Sequence, residues 1–263
     1  GTYAGGLNNL SEGKFTALTT EDGLANNTIN TLFEDSQGQL WIGTRGGGLS
    51  RLKDGEIRTF NTENGLSDDL VFALHEDSDG SLWIGTYGGG IIRMKNGRFT
   101  AITEQQGLFD NVVHRILEDD AGRFWMSSNR GIFSASIADL NAVADGERAS
   151  LHSTVFGQAD GMKNVECNGG ANAGLISQDG SLWFPSVAGV VQVSPVPLNT
   201  EVTDKPVLIE KILLNGIPQP IGELNLAAGV RNLEVDFTVT DLANAENLRF
   251  RYRADGLDHD WGT

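Results

Sequence analysis

Through residue 195 the chain alternates short apolar, β-branched runs with clusters of Gly, Asp, Asn and Ser. That pattern predicts short strands joined by tight turns, and it is itself repeated. Residues 23–64 (GLANNTINTLFEDSQGQLWIGTRGGGLSRLKDGEIRTFNTEN) align without a gap on residues 65–106 (GLSDDLVFALHEDSDGSLWIGTYGGGIIRMKNGRFTAITEQQ), with 18 of 42 positions identical. A period of this length is typical of propeller blades built from four strands.

Within the first unit the strands are predicted at 28–35, 40–44, 49–53 and 56–61, from their β-branched and aromatic content. Asp-Ser-Gln-Gly, Asp-Ser-Asp-Gly and Asp-Asp-Ala-Gly in successive units each put a side-chain acceptor early and a φ-permissive glycine late, as a hairpin turn with a bulge requires. Residues 1–22 match the second half of the unit, a third unit opens at Gly107 and a weaker fourth at Gly161. Trp41, Trp83, Trp125 and Trp183 mark the same place on the second strand. They are expected between blades, where each stabilises stacking by roughly 1.5 to 3 kcal/mol.

The expected fold is therefore all-β, a partial β-propeller of about four and a half four-stranded blades. The blades are read as 1–22 (half), 23–64, 65–106, 107–160 and 161–198, and as an open arc. The third unit is lengthened by a helix-like insertion, IADLNAVADGERASLHSTVF. After Pro195 and Pro197 the text changes, and 199–263 is read as the N-terminal part of an incomplete immunoglobulin-like β-sandwich.

Net charge is −16, with Lys and Arg scattered singly, so no basic stripe is available to nucleic acid or an anionic membrane. The single Cys167 excludes an internal disulfide and leaves the redox compartment open. No apolar run is long enough to span a bilayer, so any membrane helix is expected outside this segment. Nothing calls for a cofactor or a metal. Asp77-Ser-Asp79-Gly80 lacks the remaining ligands of a calcium loop, the triple glycines at 46–48 and 88–90 lack the Gly-Lys-Ser/Thr of a phosphate cradle, and the four histidines lack metal spacing. The Glu-Asp pairs at 34–35, 76–77 and 118–119 recur at one position in three successive blades, which marks them as repeated turn chemistry and not as acid–base carboxylates.

Positions that vary within a repeated loop are the candidate binding residues, because structure does not dictate them. Arg45, Tyr87 and Asn129, the last beside Arg130, share a slot between the second and third strands. Asp68, Asp69, Asp110 and Asn111 lie in the crossing loop on the same face. Such a ring suits a small polar ligand, a sugar or oligosaccharide, held by hydrogen bonds and one stacking aromatic.

The pattern GL-x5-V/I followed by ED-x2-G-x-LWIGT-x-GGGL resembles the two-component regulator propeller repeat, over residues 1 to about 195. The following segment, through Tyr252, Gly256, Leu257, Asp258 and Trp261, resembles the three-tyrosine (Y_Y_Y) sandwich domain that follows such propellers, with Ala254 where that family has leucine. The resemblance implies a non-catalytic, periplasmic ligand-sensing input module of a bacterial membrane receptor, either a sensor histidine kinase or a diguanylate cyclase, and a receptor dimer. Some relatives are cytoplasmic, ahead of a DNA-binding domain. The alternatives are a propeller enzyme acting on polysaccharide, which needs a converging carboxylate pair or metal cluster, and a protein-interaction scaffold, which needs apolar loops.

Overall fold

In the computed structural model, residues 1–170, 173–195, 207–222 and 232–239 are described. The chain divides into two compact units, Gly1–Pro197 and Leu198–Thr263. The first opens on the hairpin β1 (Leu7–Ser11) and β2 (Lys14–Leu18), followed by two four-stranded antiparallel meanders. Blade one is β3 (Ile29–Glu34), β4 (Leu40–Thr44), β5 (Leu49–Lys53) and β6 (Glu56–Phe60). Blade two is β7 (Val71–Glu76), β8 (Leu82–Thr86), β9 (Ile91–Lys95) and β10 (Arg98–Ile102).

Blade three is β11 (Arg115–Glu118), β12 (Arg123–Ser127) and β13 (Ile132–Ser136), then helix α1 (Ile137–Ala144), then β14 (Thr154–Phe156), which completes the sheet beside β13. Blade four has three described strands, β15 (Leu175–Ile176), β16 (Leu182–Ser186) and β17 (Gly189–Val193). Together these sheets form an open, propeller-like all-β array. In the second unit β18 (Leu208–Leu214) pairs with β19 (Ile217–Gln219) on one edge and β20 (Leu233–Thr238) on the other. Tyr252, Gly256, Leu257, Asp258 and Trp261 lie outside the described residues.

One clamp recurs in each full blade and explains the Asp-to-Trp spacing. Asp77 closes its turn by accepting from the Asp79 and Ser81 N–H groups at 3.0 and 2.9 Å, and its other oxygen accepts from Trp83 Nε1 at 2.7 Å. Asp35 holds Trp41, and Asp119 holds Trp125, in the same way at 2.8 and 2.7 Å. In blade four Ser177 takes the aspartate's place, accepting from Trp183 Nε1 at 3.2 Å. Indoles fixed in this way project into the seam with the next blade. Trp83 shares a buried cluster with Val113, Ile116 and Met126, and meets Phe124 edge-on at 5.4 Å.

In blades two and three the glutamate beside the clamp does something the sequence reading missed, because it reaches back to the preceding blade. Glu76 accepts from Ser36 N–H and Oγ at 2.7 and 2.9 Å, and Glu118 lies 2.6 Å from His75 Nε2. Asn30 bonds forward, donating to the Val71 carbonyl at 3.0 Å. The insertion helix seals another seam. It buries Leu140, Val143 and Ala144 in a cluster with Ile91 and Ile102 of blade two, while the buried Arg93 guanidinium grips Asn141 and the Asp145 carboxylate at its end.

The clamp of blade three makes stability depend on pH. Burial alone would raise the Asp119 carboxyl, but hydrogen bonds from Trp125 and Arg123 and the charge of Arg123 outweigh it and hold the pKa below the ordinary value. A depressed folded pKa gives stability that is present above the unfolded value, about 3.9, and lost as pH falls through the folded value. The melting midpoint should therefore fall as the pH is lowered from about 5, and Asp119→Asn should flatten that fall. Parallel curves for the two proteins in thermal melts would show that Asp119 contributes nothing to it.

Candidate functional site

The loops between second and third strands and the crossing loops share one face. Arg45 and Tyr87 are neighbours there through one backbone segment, because Arg45 forms an antiparallel bridge with Leu70 and Tyr87 N–H donates to the Leu70 carbonyl at 3.1 Å. The Tyr87 side chain is 45% exposed, and its ring lies 5.8 Å from Phe72 and 5.9 Å from His114. Asn129 joins Tyr87 to His114. Its amide donates to the Tyr87 hydroxyl at 3.5 Å, and its carbonyl oxygen is 2.9 Å from His114 Nε2.

His114 is thus tied through Nε2 to the loop slot, and its other ring nitrogen, Nδ1, faces blade four. Nδ1 is buried and has no partner among the described residues. Gly169 of blade four closes over it, where a Cβ would stand 2.3 Å from Nδ1, so only glycine fits. Phe72 and His114, absent from the sequence-derived set, occupy the same position of the repeat as Asn30, within the inner strand in blades one and two and one residue before it in blade three. The signal that could have found them was the variation at that position from blade to blade, Asn, Phe and His.

All of the other candidates except Arg45 are engaged elsewhere. Asp68 and Asp110 accept from the backbone N–H two residues on, Leu70 at 2.6 Å and Val112 at 3.0 Å, as side-chain turns do. Asp69 and Asn111 cap the short helical turns of the crossing loops by accepting from Thr62 N–H at 2.8 Å and Glu104 N–H at 2.9 Å. Arg130 is paired with Glu104 at 2.7 Å and lies 4.6 Å over the Phe109 ring. Arg45 is exposed and makes no side-chain hydrogen bond or ion pair among the described residues. The structure thus brings Tyr87 and Asn129 together with Phe72 and His114, sets Arg45 alongside, and places the remaining candidates in loop architecture.

On the opposite, hairpin face a cavity of about 500 Å³ opens between blades three and four, lined by Glu118, Asp119, Asp120, Asp179, Arg123 and Ser181 among others. Its Asp119 is already the clamp of Trp125. Cys167 is buried, and burial pushes its thiol up to about 11, which leaves little thiolate for chemistry at neutral pH. Among the described residues no three His, Cys, Asp or Glu side chains converge as a metal-binding group, and no helix is long and apolar enough to cross a membrane.

The model of the two component regulator propeller matches residues 23–46, 65–88 and 107–130, in each case from the crossing-loop Gly-Leu through the clamp to the loop slot of Arg45, Tyr87 and Asn129 plus one residue. The chain carries two-component regulator propeller repeats. No curated protein matches it. Among solved structures it is similar to the extracellular domain of a B. thetaiotaomicron protein described as the hybrid two component system BT3049, with 22% identity and a TM-score of 0.68 over 94% of this chain and 34% of that one. The extracellular domain of BT4673, also described as a hybrid two component system of B. thetaiotaomicron, gives 16% and 0.57, over 99% and 48%. Virginiamycin B lyase from Staphylococcus aureus gives 15% and 0.50, over 74% and 64%. The two-component regulator repeats therefore sit in an array whose fold recurs both in extracellular domains of two component systems and in a lyase. The chain spans about a third of the BT3049 domain and about half of the BT4673 domain.

Proposed function

We propose that this segment is the ligand-sensing part of an extracytoplasmic two-component receptor, and that it binds a small polar ligand, a sugar or oligosaccharide, without transforming it. The observation that carries this reading is the threefold match to the two component regulator propeller repeat. The extracellular domains of two component systems that share the fold support it. The loop face supplies suitable chemistry. Tyr87 offers an aromatic surface for the apolar face of a sugar ring, Asn129 offers amide groups, and Arg45 offers an uncommitted cation.

The test is calorimetric titration of the chain with a panel of oligosaccharides, beside an assay for their turnover. Tyr87→Ala should weaken binding by about 1 to 3 kcal/mol through loss of the stacking surface, and should change folding stability by less than about 1 kcal/mol. Turnover that disappears when one loop carboxylate is replaced would overturn the reading in favour of a propeller enzyme.

A further inference from the structure

At one cross-strand pair the repeat departs from its own rule. The pair on the first two strands is Thr31 with Gly43 in blade one and Ala73 with Gly85 in blade two. Glycine is needed at both. A Cβ at 43 would fall 2.7 Å from Val71 Cγ1, and a Cβ at 85 would fall 2.7 Å from the Val113 carbonyl oxygen, so the next blade packs directly against the missing side chain. In blade three the same pair is Arg115 with Ser127.

Strand alternation puts both side chains on the face that carries Leu117 and Trp125, whose buried cluster includes Leu182 and Phe184 of blade four. Neither is satisfied there. Ser127 is fully buried and its Oγ has no partner. Arg115 is half-buried, its Nε is buried without a partner, and its guanidinium makes no hydrogen bond or ion pair among the described residues. Burial pushes its pKa below the usual arginine value. On the blade-four side Gly174, at φ +153°, runs beside the arginine stem, where a Cβ would lie 3.2 Å from Arg115 Cγ.

Arg115 Nε and Ser127 Oγ sit on directly opposed residues and are both buried without a partner, and leaving buried polar atoms unsatisfied is costly. We propose that Arg115 and Ser127 form an oxyanion site between blades three and four, which takes the carboxylate or sulfate of an acidic sugar. A guanidinium fork matches either group with two parallel hydrogen bonds, and the serine hydroxyl supplies a third donor. The proposal deepens the sensing reading and rests on it for the acidic sugar being the sensed molecule.

Melting curves and calorimetry of the chain, at constant ionic strength with chloride as reference, test it with sodium sulfate, glucuronate and glucose as probes. Sulfate and glucuronate should raise the wild-type midpoint, and glucuronate should bind. Arg115→Met should abolish both anion responses and melt no lower than wild type, since it removes an unpaired, half-buried charge. Arg115→Lys should keep part of the response, and Tyr87→Ala should keep the sulfate response in full. An anion response that survives in Arg115→Met, or is absent from wild type, overturns the oxyanion site. Neutral oligosaccharide binding in that case leaves the sensing reading standing, whereas binding of neither class removes both.

Discussion

Replacing Trp83 by alanine is expected to cost about 3 to 5 kcal/mol of folding stability, because a fully buried indole leaves a cavity in the seam between blades two and three. Asp77→Ala should cost roughly 2 to 4 kcal/mol, since it strips two turn N–H groups and a buried indole N–H of their acceptor. The two losses should not add. Both substitutions break the same 2.7 Å bond, so the double variant should fall short of the sum by on the order of 1 kcal/mol or more in denaturant melts. A strictly additive double variant would mean that the turn and the tryptophan are independent.

The second large effect separates two equivalent positions. Gly85→Ser should cost about 2 to 4 kcal/mol, because its side chain would press on Val113 and Ala73 and bury a hydroxyl. Ser127→Gly, the reverse change in blade three, should alter stability by less than about 1 kcal/mol, since the side chain it removes satisfies nothing. Equal losses at the two sites in thermal melts would show that the seam between blades three and four is packed as tightly as the one before it, and would leave no room for a ligand group beside Arg115.

Repetition is what made the fold readable. Strands Leu40–Thr44 and Leu49–Lys53 fall where the pattern put them, and the inner and outer strands of blade one come out shorter at their ends, as Ile29–Glu34 and Glu56–Phe60. The lost residues have a physical reason. Asp35 leaves the strand because its carboxylate closes the turn, and Asn61 because it caps the following helical turn. At the candidate site the loop slot of Tyr87 and Asn129 was legible by comparing blades. What was not legible was that Asp69 and Asn111 would be spent on backbone N–H groups seven residues earlier, or that Arg130 would turn to Glu104. His114 and Arg115 escaped because positions at the start of the inner strand read as core until the neighbouring blade shows what faces them.

The division of labour between the two acidic residues bears on how such arrays grow. The aspartate is bonded entirely within its own blade, whereas the glutamate is bonded to the blade before it, in one case to a turn serine and in the other to a strand histidine. A copied unit therefore brings its own internal brace together with a hook that accepts whatever donor its predecessor presents. A duplicated unit keeps its internal brace wherever it is placed, whereas its hook holds only where the preceding blade presents a donor, as Ser36 and His75 do and as Leu117 and Asp120 at the same positions of blade three would not.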